Sequence, residues 1–305
     1  MRMEVSMEKG RNKGDSRKKL KKVYTTYIRP LFMNRKSLLG LIILTGFFIM
    51  GIFGPLIVPL NMESDISKRF LPPSKEHILG TDYFGIDIFA QIVHGTWSVL
   101  VLAFLPSIFA ILMAISIGIT AGYLKGILGR IVNGIIDVFM TVPSFPAMLL
   151  MAAMFKSVNI VFAAFLMSIW MWAGPAKMIR ARVYSIRSME FVEAAELLEM
   201  PKSHIIFKEI TPHLMPYIFM QFVNMIKYSV GASQGLMFLG LLKFNPCHWG
   251  AMLNIAVTQT GSIYLPFAIH YPLSIIFFIV LMLIGCTLLS YGVEEIFNPK
   301  LRTYE

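Results

Sequence analysis

Residues 98–123 read SVLVLAFLPSIFAILMAISIGITAGY, a run that carries no Asp, Glu, Lys or Arg. As a helix rising 1.5 Å per residue it is about 39 Å long, more than enough to cross roughly 30 Å of hydrocarbon. Lipid tails offer no partner to a charge or to an open backbone group, so such a run reads as a membrane span. The rest of the chain repeats the pattern. Of its 305 residues, 56% are hydrophobic and only 15% charged, where a soluble domain carries about a quarter charged. The charges gather into islands between long apolar stretches, which excludes an ordinary soluble fold.

Working outward, similar runs cover about Ser37–Val58, Ile131–Phe155, Asn159–Ala176, Met215–Leu241 and Phe267–Tyr291. With 98–123 they predict an all-α integral membrane protein of about six transmembrane helices. The expected organisation is a basic tail at 1–36, a first span at 37–58 and an outer loop segment at 59–97. A five-helix domain at 98–291 follows, with an inner loop at 177–211, then a tail at 292–305.

Lys and Arg set the orientation, because they favour the cytosolic side of short loops. Twelve of them precede the first apolar run, and Lys177, Arg180, Arg182, Arg187, Lys202 and Lys208 share the inner loop. With both termini inside, only Lys68, Arg69, Lys75, Lys156 and Lys243 fall outside, while Lys227 lies within a span. The basic head is too long for a secretory signal, and the run after it is longer than a signal core. The net charge of +11 therefore reflects topology and a membrane-lipid environment rather than nucleic acid. Cys247 and Cys286 are the two cysteines; Cys286 sits inside an apolar run, so no disulfide between them is expected.

Chemistry-bearing patterns are sparse. Gly122, Gly126 and Gly129 lack the spacing and the Lys-Ser/Thr of a phosphate loop, and no His/Cys/Asp/Glu cluster has zinc spacing. No catalytic residue, metal site or cofactor is expected in the chain, so it reads as a non-enzyme. Within the spans, Asp137 and Lys227 are the ionisable residues. Asp137 either serves a function or pairs toward the Arg130 end of its helix; Lys227 faces a watery path or snorkels. A secondary transporter or channel would need a relay or a filter. A membrane-bound enzyme would need clustered groups, yet His77, His94, His204, His213, His248 and His270 are scattered.

The inner loop is different. Phe191-Val192-Glu193-Ala194-Ala195-Glu196-Leu197-Leu198-Glu199-Met200 predicts a short amphipathic helix with Ala194, Leu197 and Leu198 on one face. Pro201 breaks it and suits the first turn of a second helix reaching about Ile210, which carries Ile206, Phe207 and Ile210 on one side. Pro212 and Pro216 end that helix and start the fifth span. An acidic elbow of this kind is poorly suited to anionic headgroups and fits a protein partner better. Small Ala194 and Ala195 would permit close approach.

Glu193-Ala194-Ala195, followed by Ile210-Thr211-Pro212, resembles the coupling loop of ABC importer permeases. Pro72-Pro73-Ser74, His77-Ile78-Leu79-Gly80-Thr81-Asp82, Gly85 and Asp87 are similar to the outer loop of C-type subunits in the dipeptide/oligopeptide branch. Phe238-Leu239-Gly240-Leu241, Trp249-Gly250-Ala251-Met252-Leu253 and Asn298-Pro299-Lys300-Leu301-Arg302 extend the likeness along the chain. The resemblance implies a type I importer permease fold with a cytosolic coupling-helix elbow. It implies half of a translocation pathway for peptides, with oligosaccharides or nickel complexes as alternative cargo. Implied partners are a second homologous permease, two ATP-binding subunits that hold ATP and magnesium, and an extracytoplasmic solute-binding protein. The coupling residues implied are Glu193, Ala194, Ala195, Leu198, Glu199, Pro201, Ile206, Phe207, Ile210 and Pro212; cargo contacts are not implied.

The chain also departs from the family pattern. Glu199 stands where glycine is usual, so a reshaped elbow is expected, with Pro201 imposing the break. Ile86 replaces an arginine, Ser233 stands where an acidic residue is common, and the Lys243–His248 segment is short.

Overall fold

The computed structural model describes residues 29–155, 159–242 and 245–297. The basic tail before residue 29, Lys156, Lys243 and the Asn298–Arg302 segment lie outside the described residues. Those that are described build an all-helical protein with one isolated β-bridge, between Thr81 and Asp87.

Helix α1, Arg35–Ile57, opens with Asn34, whose side chain accepts from the Ser37 amide at 3.1 Å. It buries Ser37, Gly40, Leu44, Phe47 and Gly51, alternating steps of three and four, and turns Leu39, Ile42, Ile49, Ile52 and Phe53 outward. Small residues inside and bulky ones outside suit a helix whose solvent is lipid, where close packing rather than water exclusion drives association. Gly51 of that stripe meets Thr96 and Leu100, while the first half of the stripe packs on the last helix. A Cβ at Gly40 would lie 2.6 Å from the Leu289 amide nitrogen, and one at Gly285 would lie 2.8 Å from Ile43.

Helix α2 runs from Ile88 to Tyr123, 36 residues, beginning ten positions before the sequence expectation. Asp87 causes the early start: its carboxylate accepts from the Ala90 amide at 2.7 Å, satisfying one of the open N–H groups of the first turn. This helix is the hub, packed against α1 and most of the later helices.

Two expected spans are bent. Helices α3 (Gly126–Thr141) and α4 (Ser144–Met154) meet at 78°, and α5 (Ile160–Met171) and α6 (Ala173–Arg187) at 49°. The first break falls at Val142-Pro143, where the residue before proline is driven out of the helical region. The second corrects the loop expectation: residues 177–187 are helix, and the inner connection begins only after Arg187. Asp137 also differs from expectation, bonding Lys177 of α6 at 2.8 Å rather than pairing near Arg130.

The inner elbow contributes α7 (Glu190–Leu197), and Lys202–His204 leads through a π-turn at Ile205–Ile210 into α8, Thr211–Phe238. Short α9, Trp249–Asn254, precedes α10, His270–Phe297. Among the described residues, three helices are each long and apolar enough to cross a membrane, or up to five spans if each bent pair counts as one. The remaining expected span, α8, is long but buries Gln221, Ser229, Ser233 and Gln234 against its neighbours. Ser229 donates to the Leu102 carbonyl of α2 at 2.6 Å, which satisfies one of these hydroxyls inside the bundle. Cys247 and Cys286 are both buried and free, as expected.

Two hydrophobic cores lie along α2. One joins α1, the outer segment, α9 and α10 around Phe47, Trp249 and Tyr271. The other joins α3 to α8 and includes Val192, Ala195, Ile205, Ile210 and Leu214 of the elbow.

Candidate functional site

The elbow is built from its inner face outward. Val192 and Ala195, three apart on α7, are buried, as are Ile205 and Ile210 of the π-turn. Phe191 stacks on His213 at 4.9 Å between ring centroids, which holds α7 against the start of α8. His213 is fixed in turn, its Nδ1 donating to the Glu209 carbonyl at 2.7 Å.

The second short helix does not end at Pro212. Lys202–His204, the π-turn and α8 form one continuous rod. Pro212 has no N–H to return to an earlier carbonyl, and the ladder widens ahead of it. The Thr211 amide and hydroxyl both reach back to the Ile206 carbonyl, the hydroxyl at 2.7 Å. The break thus falls at Met200-Pro201 alone, and the backbone runs helically from Lys202 into α8.

Glu199 keeps the left-handed turn that a glycine would adopt, at φ 51°. The Met200 amide donates to the Ala195 carbonyl and the Glu199 amide to the Glu196 carbonyl, both at 3.1 Å. That is a Schellman cap, formed despite a strain of about 1–2 kcal/mol for a residue with a Cβ. The expected reshaping does not occur, because the two hydrogen bonds hold the geometry whatever the side chain.

The outward face carries the apolar residues. Leu197 is 84% exposed, and Leu198 and Phe207 are each 71% exposed. Ala194, Glu193, Glu199, Pro201 and Pro212 are exposed beside them, while Ile206 is half-buried. Ala195 and Ile210 point the other way; Ala195 is only 5% exposed. The two alanines therefore split: Ala194 faces out, and Ala195 seats the helix on the protein's own core.

Glu196 is held from the side. Arg187 Nε donates to its Oε1 at 3.3 Å, and Lys125 Nζ lies 3.7 Å from its Oε2. Sequence reasoning passed over Arg187, Lys125, Val192, Ile205 and His213, because nothing in their spacing marks them as neighbours.

The outer segment folds as a cap joined to the core of α1, α9 and α10. Buried Asp82 accepts from the Phe84 and Ile86 amides at 2.8 and 2.9 Å and from Gln91 Nε2 at 2.8 Å. Its burial pushes the carboxyl above its usual range, against those bonds. His77 Nδ1 sits 2.9 Å from Asp87. Ile86 fills this cap as a buried apolar residue.

Residues 114–303 match the family described as binding-protein-dependent transport system inner membrane component, and residues 26–73 match the N-terminal TM domain of oligopeptide transport permease C. The chain belongs to this family of transport permeases. Its relatives include a dipeptide transport system permease protein, DppC, of Alkalihalophilus pseudofirmus, 30% identical over 90% of this chain and 89% of that one. DppC of Bacillus subtilis is 29% identical over 98% of this chain and 92% of the relative. The oligopeptide transport system permease protein OppC of Bacillus subtilis is 27% identical over 95% of each. The permease is thus a membrane transport component.

Proposed function

We propose that this permease forms half of the translocation pathway of an ATP-driven importer of dipeptides or oligopeptides, and that its elbow is the socket for separate ATP-binding subunits. The observation that carries this reading is the two-faced elbow. Val192, Ala195, Ile205 and Ile210 seat it on the bundle, while Leu197, Leu198 and Phe207 stand exposed among acidic residues. Exposed apolar anchors rimmed by polar residues are the usual make-up of a protein-docking patch.

A second homologous permease completes the pathway, and ATP and magnesium are held by the partner subunits. An extracytoplasmic solute-binding protein delivers cargo to the outer cap, and both termini are cytosolic. The names of the relatives support peptides over oligosaccharides or nickel complexes as cargo.

Leu198→Asp tests the socket. The expected result is loss of the co-purifying ATP-binding subunits and of ATP-dependent uptake of a radiolabelled dipeptide, with the thermal unfolding of the permease unchanged. Uptake that persists without ATP would instead place the protein among secondary transporters or channels.

A further inference from the structure

We propose that Arg187 is a positioning residue that clasps the elbow to α2, so that movement of α7 is delivered to the long central helix. The inference rests on the docking reading above and adds the path by which docking acts.

Two observations carry it. The first is that α2 and α6 pack backbone to backbone. Gly118 and Gly122, four apart, open a groove on α2 into which α6 fits. A Cβ at Gly118 would lie 2.7 Å from the Ala176 carbonyl oxygen, and one at Gly122 would lie 2.7 Å from Val183 Cβ. Such small-residue seams let two backbones approach closely enough to move together. Because α2 has 36 residues, it spans about 54 Å, from the Asp87 cap at the outer segment to Tyr123 at the inner end.

The second is the geometry of Arg187 itself. It is the last residue of α6, and only Ser188 and Met189 separate it from α7. In this proposal the two-residue junction serves as the hinge. Arg187 spans that hinge: Nη1 donates to the Tyr123 carbonyl at 3.0 Å while Nε donates to Glu196 at 3.3 Å. The guanidinium also lies 5.4 Å from the Tyr123 ring centroid. Its side chain is 13% exposed and that of Glu196 36%, so the bond to the Tyr123 carbonyl is sheltered while the pair with Glu196 is partly screened by water. The Tyr123 carbonyl is one of the open acceptors at the end of α2, and a cation there also complements the helix dipole. Only a planar fork with several donors joins a backbone carbonyl and a carboxylate in this way; a lysine offers one point charge. Lys125, by contrast, is 74% exposed at 3.7 Å from Glu196, and a pair of that kind contributes little.

With the clasp intact, a push on Leu197 and Leu198 tilts α7, and the guanidinium carries the tilt to α2 and α6. Without it, α7 keeps only its seat on the bundle core and on the start of α8, and less of the push reaches α2.

The test uses the complete transporter, reconstituted in proteoliposomes with its ATP-binding subunits and binding protein, and reads dipeptide moved per ATP hydrolysed. Arg187→Gln is expected to keep the ATP-binding subunits bound while that ratio falls about twofold to thirtyfold, the range for a coupling contact between sites. Arg187→Lys should recover part of the loss, and Lys125→Gln should leave the ratio unchanged. Should Arg187→Gln fail to assemble, Glu196→Gln carries the measurement, with the same fall expected. An unchanged ratio with the subunits still bound overturns the clasp and leaves the docking reading standing. A wild-type permease that never holds ATP-binding subunits overturns the docking reading, and the clasp with it.

Discussion

The outer cap and the inner elbow solve the same problem, a chain reversal between spans, in opposite ways. Both use left-handed residues. In the cap, Gly80 and Gly85 take φ near 80°, and a Cβ on Gly85 would overlap the Asp65 carbonyl oxygen. The cap's one non-glycine of this kind, Phe70 at φ 53°, has its ring packed between Tyr83 and Phe267, so burial offsets the strain. In the elbow, Glu199 bears similar strain with its side chain in solvent, and the apolar groups beside it stay open. The cap buries its strained residue in an aromatic cluster, although Ile66 and Ile78 stand exposed on it, while the elbow leaves its strained residue in solvent beside exposed Leu197, Leu198 and Phe207.

The contrast can be broken most directly at Gly85. Gly85→Ala adds a backbone clash to an unfavourable φ and should cost about 3 kcal/mol or more, read as a large drop in thermal stability in detergent. Gly240→Ala is the control: φ is 70° there but a Cβ meets nothing, so only about 1 kcal/mol should be lost.

Ala195→Arg comes next. Because Ala195 faces the core, the arginine should destabilise the elbow by about 3 kcal/mol through overpacking and a buried charge. Leu197→Asp, on the other face, should leave stability within about 0.5 kcal/mol. Equal effects of the two on unfolding would erase the distinction between seat and socket.

Acid should act on the outer half. His248, fully buried at the start of α9, is held down to about 3 by desolvation. The unfolded chain takes up a proton near pH 6.5 and the folded one does not, so stability present above that pH falls as the pH drops toward 3. The expected slope is about 1.4 kcal/mol per pH unit, flattened in His248→Asn and checked by thermal unfolding across that range.

The smallest effect is at the strained cap of α7. Glu199→Gly removes the Cβ penalty but adds freedom to the unfolded chain, leaving a net gain of up to about 1 kcal/mol. Amide exchange at Met200, whose N–H closes the cap, would report it.

Several of these features were legible beforehand. Charge-free runs marked the spans because hydrocarbon excludes charge at every position. The acidic elbow and its break at Pro201 were readable because proline and helical periodicity act over a few residues. The Gly118–Gly122 seam emerged only from the packing of α2 on α6, because spacing alone does not say which helix fills it.

Membership in a membrane-helix class and the presence of an elbow were written into local chemistry, where each residue's cost depends on its immediate surroundings. Which alanine turns inward, where Arg187 reaches and which acid meets Lys177 depended on the packing of distant helices. Those contacts join residues tens of positions apart, and only the folded bundle selects among the many pairings that the same side chains allow.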